Sequence, residues 1–255
     1  MDKINDPQIN DLLKDLLFRM QEILGDKLLG LYLYGSLVWG DFDKDISDLD
    51  MLAVLESDLT DSEFAALKRM HDEFAKEYKE WDNRIEVQYL AKEALKTFKT
   101  QESPMTAISP GEPFHKITVN KDWLMNWYCV QEYGVILFGS DPKPFIDHCT
   151  KEEFIQGVKK YARGFREYVK HTKKKRPAQA YVIMTMCRAL YTITLGEHTS
   201  KKKACEWVAK EFPEYAPLIY NAFQWRKEFR NKDVDSEATY PQTEQFVNII
   251  FSKLG

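Results

Sequence analysis

A chain of 255 residues, 44% hydrophobic and 30% charged, is long enough to bury one large core or two medium ones and has the balance of an ordinary globular protein. Its net charge of −4 supplies no general attraction to nucleic acid or to an anionic membrane, so any anion site has to be local. Its apolar runs fall short of the ~20 residues that a membrane span needs.

Ile9, Leu12, Leu13, Leu16, Leu17, Met20, Ile23 and Leu24 recur at three- and four-residue spacing, which predicts an amphipathic helix over 8–24, stopped near Gly25. The β-prone runs 28–34 and 50–55 predict two buried strands. Phe64, Leu67, Met70, Phe74 and Tyr78 mark one face of a helix over 61–79, with Asp61 or Ser62 as its cap. RIEVQYL, 84–90, predicts a third strand. Pro104, Pro110, Gly111 and Pro113 make 103–118 read as loop. A helical stretch over 121–133 and a short strand over 135–138 follow, and then a turn at 139–142.

Beyond about residue 150 every segment reads as helix: 151–170, 179–195, 200–212, 214–230 and 241–253, with breaks at Pro177, Gly196, Pro213 and Pro241. The fold class expected is therefore α+β, a mixed sheet with helices followed by an all-helical bundle, divided near 145–155. Cys129, Cys149, Cys187 and Cys205 are scattered without Cys-x-x-Cys spacing and read as reduced thiols of a cytoplasmic protein. The N-terminus MDKINDPQIND has no apolar signal region. The five histidines do not cluster, which argues against zinc.

The chemistry concentrates in LYLYGSLVWGDFDKDISDLDMLAVLE. Gly35-Ser36 ends an apolar strand, and Asp48-Leu49-Asp50 opens the next. Alternate strand residues share a face, so Asp48 and Asp50 present two carboxylates with Cα atoms about 6.5 Å apart. Paired carboxylates suit Mg²⁺, which completes its shell with phosphate oxygens and water. Gly35 lets a phosphate approach the backbone, and the Ser36 hydroxyl can donate to it. Taken alone, an Asp-x-Asp near a turn is commonly a solvated loop; the spacing of the two elements between apolar strands makes the pattern specific. Glu86, alternating with Ile85 and Val87, shares its face with Arg84 and Gln88. It could act as a general base or a further metal ligand, or form a salt bridge to Arg84.

Gly35-Ser36, Asp48-x-Asp50 and a downstream strand acid resemble the nucleotidyltransferase fold of the DNA polymerase β superfamily, and within it the streptomycin/spectinomycin adenylyltransferases, the aminoglycoside (3'')(9) family. The likeness extends to Cys187-Arg188-Ala189-Leu190-Tyr191, Gly196, Thr199-Ser200-Lys201 and Ala204-Cys205-Glu206-Trp207, which resemble that family's helical C-terminal domain. The resemblance implies a nucleotidyltransferase domain over 1–150 and a helical substrate- and nucleotide-closing domain over 151–255. It implies that Gly35, Ser36 and Ser47 bind the triphosphate of ATP, that Asp48 and Asp50 hold Mg²⁺, and that Glu86 is the base for an acceptor hydroxyl. Arg188 and Lys201 would bind the nucleotide from the helical domain, and Asp122 matches an acidic position near it. A lysine in the first turn of a helix lies where free N–H groups and the helix dipole already favour phosphate.

The function implied is Mg²⁺-dependent transfer of AMP from ATP to an aminoglycoside hydroxyl. The expected partners are ATP and a small-molecule hydroxyl acceptor rather than nucleic acid or a membrane, with the chain acting as a monomer. The family's acidic drug-recognising stretch reads here as Lys173-Lys174-Lys175-Arg176-Pro177-Ala178-Gln179-Ala180-Tyr181, basic and then neutral. The aromatic drug segment is not recognisable in 110–120, and a tyrosine near the nucleotide is matched by Trp225 or Arg226. A lincosamide, RNA or protein acceptor therefore stays open, as does a non-catalytic nucleotide-binding module.

Overall fold

The computed structural model describes residues 6–227 and 235–254, and the chain divides into two compact units, Met1–Thr150 and Lys151–Gly255. In the first unit a six-stranded mixed sheet has the order β5-β4-β3-β2-β1-β6. β1 (Leu28–Tyr34) lies antiparallel to β2 (Leu49–Leu55) and to β6 (Val135–Gly139). β2 runs parallel to β3 (Ile85–Ala91), and the crossover between them is α2 (Asp61–Glu77), as a parallel pair requires.

α1 (Pro7–Leu24) begins where Asp6 Oδ1 accepts from the N–H of Gln8 at 2.9 Å, and buries Ile9, Leu12, Leu13, Leu16 and Met20. These residues share a core with Leu67 and Phe74 of α2 and with Leu31, Leu33, Leu49, Met51, Ala53, Val87 and Tyr89 of the sheet. Fully burying each such aliphatic side chain contributes about 1.5–3 kcal/mol. Because strand residues alternate, that core leaves Tyr34, Asp50, Glu86 and Gln88 on the other face of the sheet. The cap of α2 is Thr60, in a reciprocal capping box with Glu63, and not Asp61 or Ser62; the β-region backbone of Thr60 aims its hydroxyl at the free N–H groups of the first turn.

The stretch 103–118 is not a loop. It forms a hairpin of β4 (Ser103–Ser109) and β5 (Glu112–Val119), turning at Gly111 with φ +83°. Its prolines are tolerated because β5 is an edge strand and because β3 pairs only with Thr106–Ile108 of β4, beyond Pro104. A short helix, α3 (Lys92–Thr97), follows β3, and α4 (Leu124–Tyr133) precedes β6.

The second unit is helical: α5 (Lys151–Tyr168), α6 (Arg176–Leu195), α7 (Lys201–Glu211), α8 (Ala216–Lys227) and α9 (Ser236–Lys253). α6 packs against the other four and is apolar nearly all round, as a central helix must be. Its fully buried Gln179 donates to the carbonyls of Thr172 (3.1 Å) and Ser236 (2.8 Å), and accepts from Thr239 Oγ1 (2.7 Å). Two expected breaks are displaced. Pro177 sits in the first turn of α6, where its missing N–H costs nothing. Pro241 lies inside α9, held there by burial of Phe246, Val247 and Ile250. Residues 228–230 of the helix expected over 214–230 lie outside the described residues. The four cysteines are free thiols.

Candidate active site

β1 ends at Tyr34, and the chain turns at Gly35 with φ +77°. A Cβ at Gly35 would collide with the carboxylate of Asp50, so a bare backbone here is what allows Asp50 to lie against the Gly-Ser turn. The N–H groups of Val38 and Trp39 return to the carbonyl of Gly35 at 3.2 and 3.3 Å. The following loop closes on itself, with the N–H of Ser47 donating to the Asp43 carbonyl at 2.8 Å and Ser47 Oγ accepting from the N–H of Asp43 at 2.9 Å. Ser47 is completely buried.

Arg84 holds this loop from outside. Its Nε and Nη2 donate to the Ser47 carbonyl at 2.8 and 2.6 Å, Nη2 also to the Lys44 carbonyl at 2.7 Å, and Nη1 to the Glu80 carbonyl at 3.1 Å. The guanidinium lies 4.4 Å from the Trp81 ring centroid. Its donors thus go to backbone carbonyls rather than to a salt bridge with Glu86.

Strand register assembles the acids. Tyr34 of β1 faces Asp50 of β2, and Asp50 faces Glu86 of β3. Asp48 is not in a strand; β2 begins at Leu49, and Asp48 follows the loop that Arg84 pins. Asp48, Asp50 and Glu86 each offer a ligand atom, all within 4.8 Å of one another, and all three are half-buried. Three oxygen donors at this spacing suit a hard divalent cation. Burial pushes the Glu86 carboxyl up to about 7, with the charge of Asp48 adding to the rise and hydrogen bonds from Gln88 and Ser109 opposing it. A carboxylate tuned near neutrality suits a proton acceptor.

The hydroxyl of Ser36 is buried and has no hydrogen-bond partner among the described residues. An unsatisfied buried polar group costs about 1–3 kcal/mol, and a ligand acceptor beside the Gly-Ser turn would remove that cost. Asp122 lies exposed on the 3₁₀ turn Lys121–Trp123 and is not a member of the carboxylate cluster.

In the second unit, Lys201 is the first residue of α7, whose N-cap Ser200 accepts from the N–H of Lys203 at 3.1 Å. The Lys201 ammonium lies 4.8 Å from the Tyr181 ring centroid, and the Tyr181 hydroxyl is 3.0 Å from that of Tyr161. Arg188, half-buried on α6, has no carboxylate partner among the described residues. Burial pushes His198 down to about 3, and the charge of Arg188 adds to the fall. A half-buried guanidinium beside an uncharged imidazole, with no counter-ion from the described residues, is suited to an external anion. The structure thus gathers Gly35, Ser36, Ser47, Asp48, Asp50 and Glu86 in the first unit, and Arg188 and Lys201 near the Tyr161–Tyr181 pair in the second.

Sequence reasoning gave no part to Tyr34 and Asn126, and offered Arg84 only as a salt-bridge partner of Glu86. Gln88 was legible as a neighbour of Glu86 on one strand face, but its hydrogen bond was not. The signal for Arg84 was a cation directly before the strand that carries Glu86.

Residues 13–115 match the nucleotidyltransferase domain family, and residues 145–253 match the C-terminal domain of aminoglycoside adenylyltransferases. No curated protein sequence matches the chain. Among solved structures the chain is similar to spectinomycin adenyltransferase AAD(9) from Enterococcus faecialis, solved with ATP and spectinomycin, with a TM-score of 0.69 and 17% identity over 93% of this chain and 98% of that one. That likeness carries the fold, and the two matched domains carry the family. With a nucleotidyltransferase domain in the first unit and the family's own helical domain as the second, the chain is an enzyme that belongs to the aminoglycoside adenylyltransferase family.

Proposed function

We propose that this chain transfers AMP from ATP to a hydroxyl of a small molecule, an aminoglycoside-type antibiotic such as spectinomycin or streptomycin. The observation that carries this reading is the convergence of Asp48, Asp50 and Glu86 beside the unpartnered hydroxyl of Ser36. Asp48 and Asp50 would hold Mg²⁺, which when bound neutralises phosphate charge. Ser36 donates to a phosphate oxygen, while Ser47 keeps the loop that carries Asp48 closed. Glu86 takes the proton of the acceptor hydroxyl as its oxygen bonds to the α-phosphorus and the bond to the pyrophosphate oxygen breaks. Arg188 and Lys201 bind the triphosphate and stabilise the departing pyrophosphate. The solved relative with bound ATP and spectinomycin supports both substrates. We assign the first unit to nucleotide chemistry and the helical unit to nucleotide and substrate binding, in a cytoplasmic monomer.

The basic run 173–176 gives an RNA acceptor little support. Lys173 pairs with Glu237 at 3.8 Å, the N–H of Arg176 donates to Ser236 Oγ at 3.1 Å, and its guanidinium lies over Trp225. Lys173 and Arg176 thus tie the start of α6 to α8 and α9.

The test is a mass-spectrometric screen for an AMP adduct with ATP and Mg²⁺ across aminoglycosides, with lincosamides, a short RNA and the protein itself included. An adduct on an aminoglycoside hydroxyl with release of pyrophosphate is the result expected. An adduct confined to another acceptor would overturn the acceptor class, and no adduct on any of them would overturn the transferase reading.

A further inference from the structure

We infer that Gln88 is a positioning residue that aims the Glu86 carboxylate, and that Tyr34 and Asn126 fix the direction in which Gln88 points. The inference rests on the proposed role of Glu86. Gln88 is completely buried, two residues along β3 from Glu86 and on the same face. Its Nε2 donates to Glu86 Oε1 at 2.7 Å. Its Oε1 accepts from the Tyr34 hydroxyl at 2.8 Å, and the same hydroxyl accepts from Asn126 Nδ2 at 3.3 Å.

The polarity of this chain is determined by counting hydrogens. A phenol has one hydrogen to give. The amide of Asn126 approaches Tyr34 as a donor, so the phenol hydrogen is left for Gln88. Gln88 must therefore turn its carbonyl towards Tyr34 and its NH₂ towards Glu86. A freely rotating amide could offer Glu86 either a donor or a repelling carbonyl; Tyr34 removes the second choice. The Tyr34 side chain is buried, and its hydroxyl is held between Gln88 and Asn126.

The network spans the elements that build the site. Tyr34 directly precedes the Gly35-Ser36 turn and faces Asp50, which faces Glu86. Asn126 belongs to α4, so the helix that covers this face of the sheet also sets the direction of the base. With Gln88 on Oε1 and Ser109 also bonded to the carboxylate, the plane of Glu86 is held and its remaining lone pairs keep one direction. Placement of a base to within a few tenths of an ångström is what catalysis by positioned groups requires.

The experiment measures kcat, the KM for ATP and thermal midpoint for Gln88→Met and Tyr34→Phe, with the acceptor that carries AMP in the screen above. Gln88→Met should lower kcat about 10–100-fold, part of the 10²–10⁴-fold due to a general base, with KM for ATP within about twofold and the Mg²⁺-ATP thermal shift retained. Tyr34→Phe keeps the amide and loses only its orientation, and should lower kcat by less, about 3–10-fold. In a Glu86→Gln background, Gln88→Met should cause no further loss, because its effect passes through Glu86. An undiminished kcat in Gln88→Met, beside an inactive Glu86→Gln, would overturn the inference and leave the base assignment standing. So would a loss that repeats in the Glu86→Gln background. A fully active Glu86→Gln enzyme would instead remove the base assignment and this inference with it.

Discussion

Gly35 and Asp50 are in such close approach that no side chain fits at position 35 without displacing the Asp50 carboxylate. Gly35→Ala should therefore act on Asp50 twice, through the steric clash and through the φ of +77°, which alone costs an L-residue about 1 kcal/mol. The expected outcome is loss of AMP transfer by at least about 100-fold with secondary structure intact. Transfer assays beside far-ultraviolet circular dichroism check it, and an active Gly35→Ala enzyme would show that Asp50 has room to move.

Asp50→Asn removes one of three carboxylates within 4.8 Å while keeping the shape of the side chain. Activity should fall at least about 10³-fold. Without Mg²⁺ the thermal midpoint should hold or rise, because like charges at this separation repel. With Mg²⁺ and ATP the wild type should gain a thermal shift that the variant lacks. Differential scanning fluorimetry distinguishes this from an unfolded variant, and equal shifts in the two proteins would refute the assignment of the metal to Asp50.

Arg84 holds the carbonyls of Lys44, Ser47 and Glu80 and so fixes the loop that delivers Asp48. A lysine keeps the charge but not the fork. Arg84→Lys should lower kcat about tenfold with little change in midpoint, whereas Arg84→Ala should also destabilise by about 1–3 kcal/mol, leaving the carbonyl of the buried Ser47 without its two donors. Steady-state kinetics and urea denaturation separate the two effects.

The acid side of the stability profile should carry opposing contributions from two histidines and from Glu86. His71 bonds the Tyr89 hydroxyl at 2.7 Å, and burial holds it down at about 4, below the 6.5 of an unfolded chain. As pH falls, the unfolded state takes up its proton first, so stability is complete above about pH 6.5 and is lost between about 6.5 and 4, by about 2 kcal/mol at pH 5. His198, held down at about 3, acts in the same direction in the helical unit. Glu86, held up at about 7, acts in the opposite direction, gaining stability as pH falls from about 7 towards 4.5, and offsets the histidine loss in the first unit. His71→Gln should therefore lower the midpoint at pH 7 and leave the first unit gaining stability between about pH 7 and 5; thermal melts of wild type and variant from pH 8 to 4 check this, and parallel profiles in the two proteins would assign the acid sensitivity elsewhere.

Much of this architecture is legible in one dimension, because apolar periodicity is a local property. The leucines of α1 recur every three or four residues, and a lone cluster of β-prone residues ends at Tyr34; neither needs a partner to be recognised. The hairpin over 103–119 is missed for a physical reason. Proline reads as a loop signal, yet Pro113 on an edge strand and Pro104 beyond the reach of β3 forfeit no ladder bond that the sheet needs. Pro241 misleads in the same way, since burial of α9 against its neighbours outweighs a local break. Thr60 rather than Asp61 caps α2 because a cap is decided by backbone dihedrals, which composition does not reveal.

At the site, the residue types were set by the sequence alone: a glycine-serine turn, two aspartates two apart, and an acid on an alternating strand. Their convergence was not, because it depends on the pairing of β1 with β2 and of β2 with β3, and a one-residue slip in either would turn a carboxylate into the core. Tertiary structure also decided that Arg84 grips the loop and not Glu86, that Ser36 is left without a partner, and that Tyr34 and Gln88 stand behind the base. Hydrogen bonds between residues 54 apart arise only when the sheet has chosen its register, and that choice is made by burial of a whole face at once.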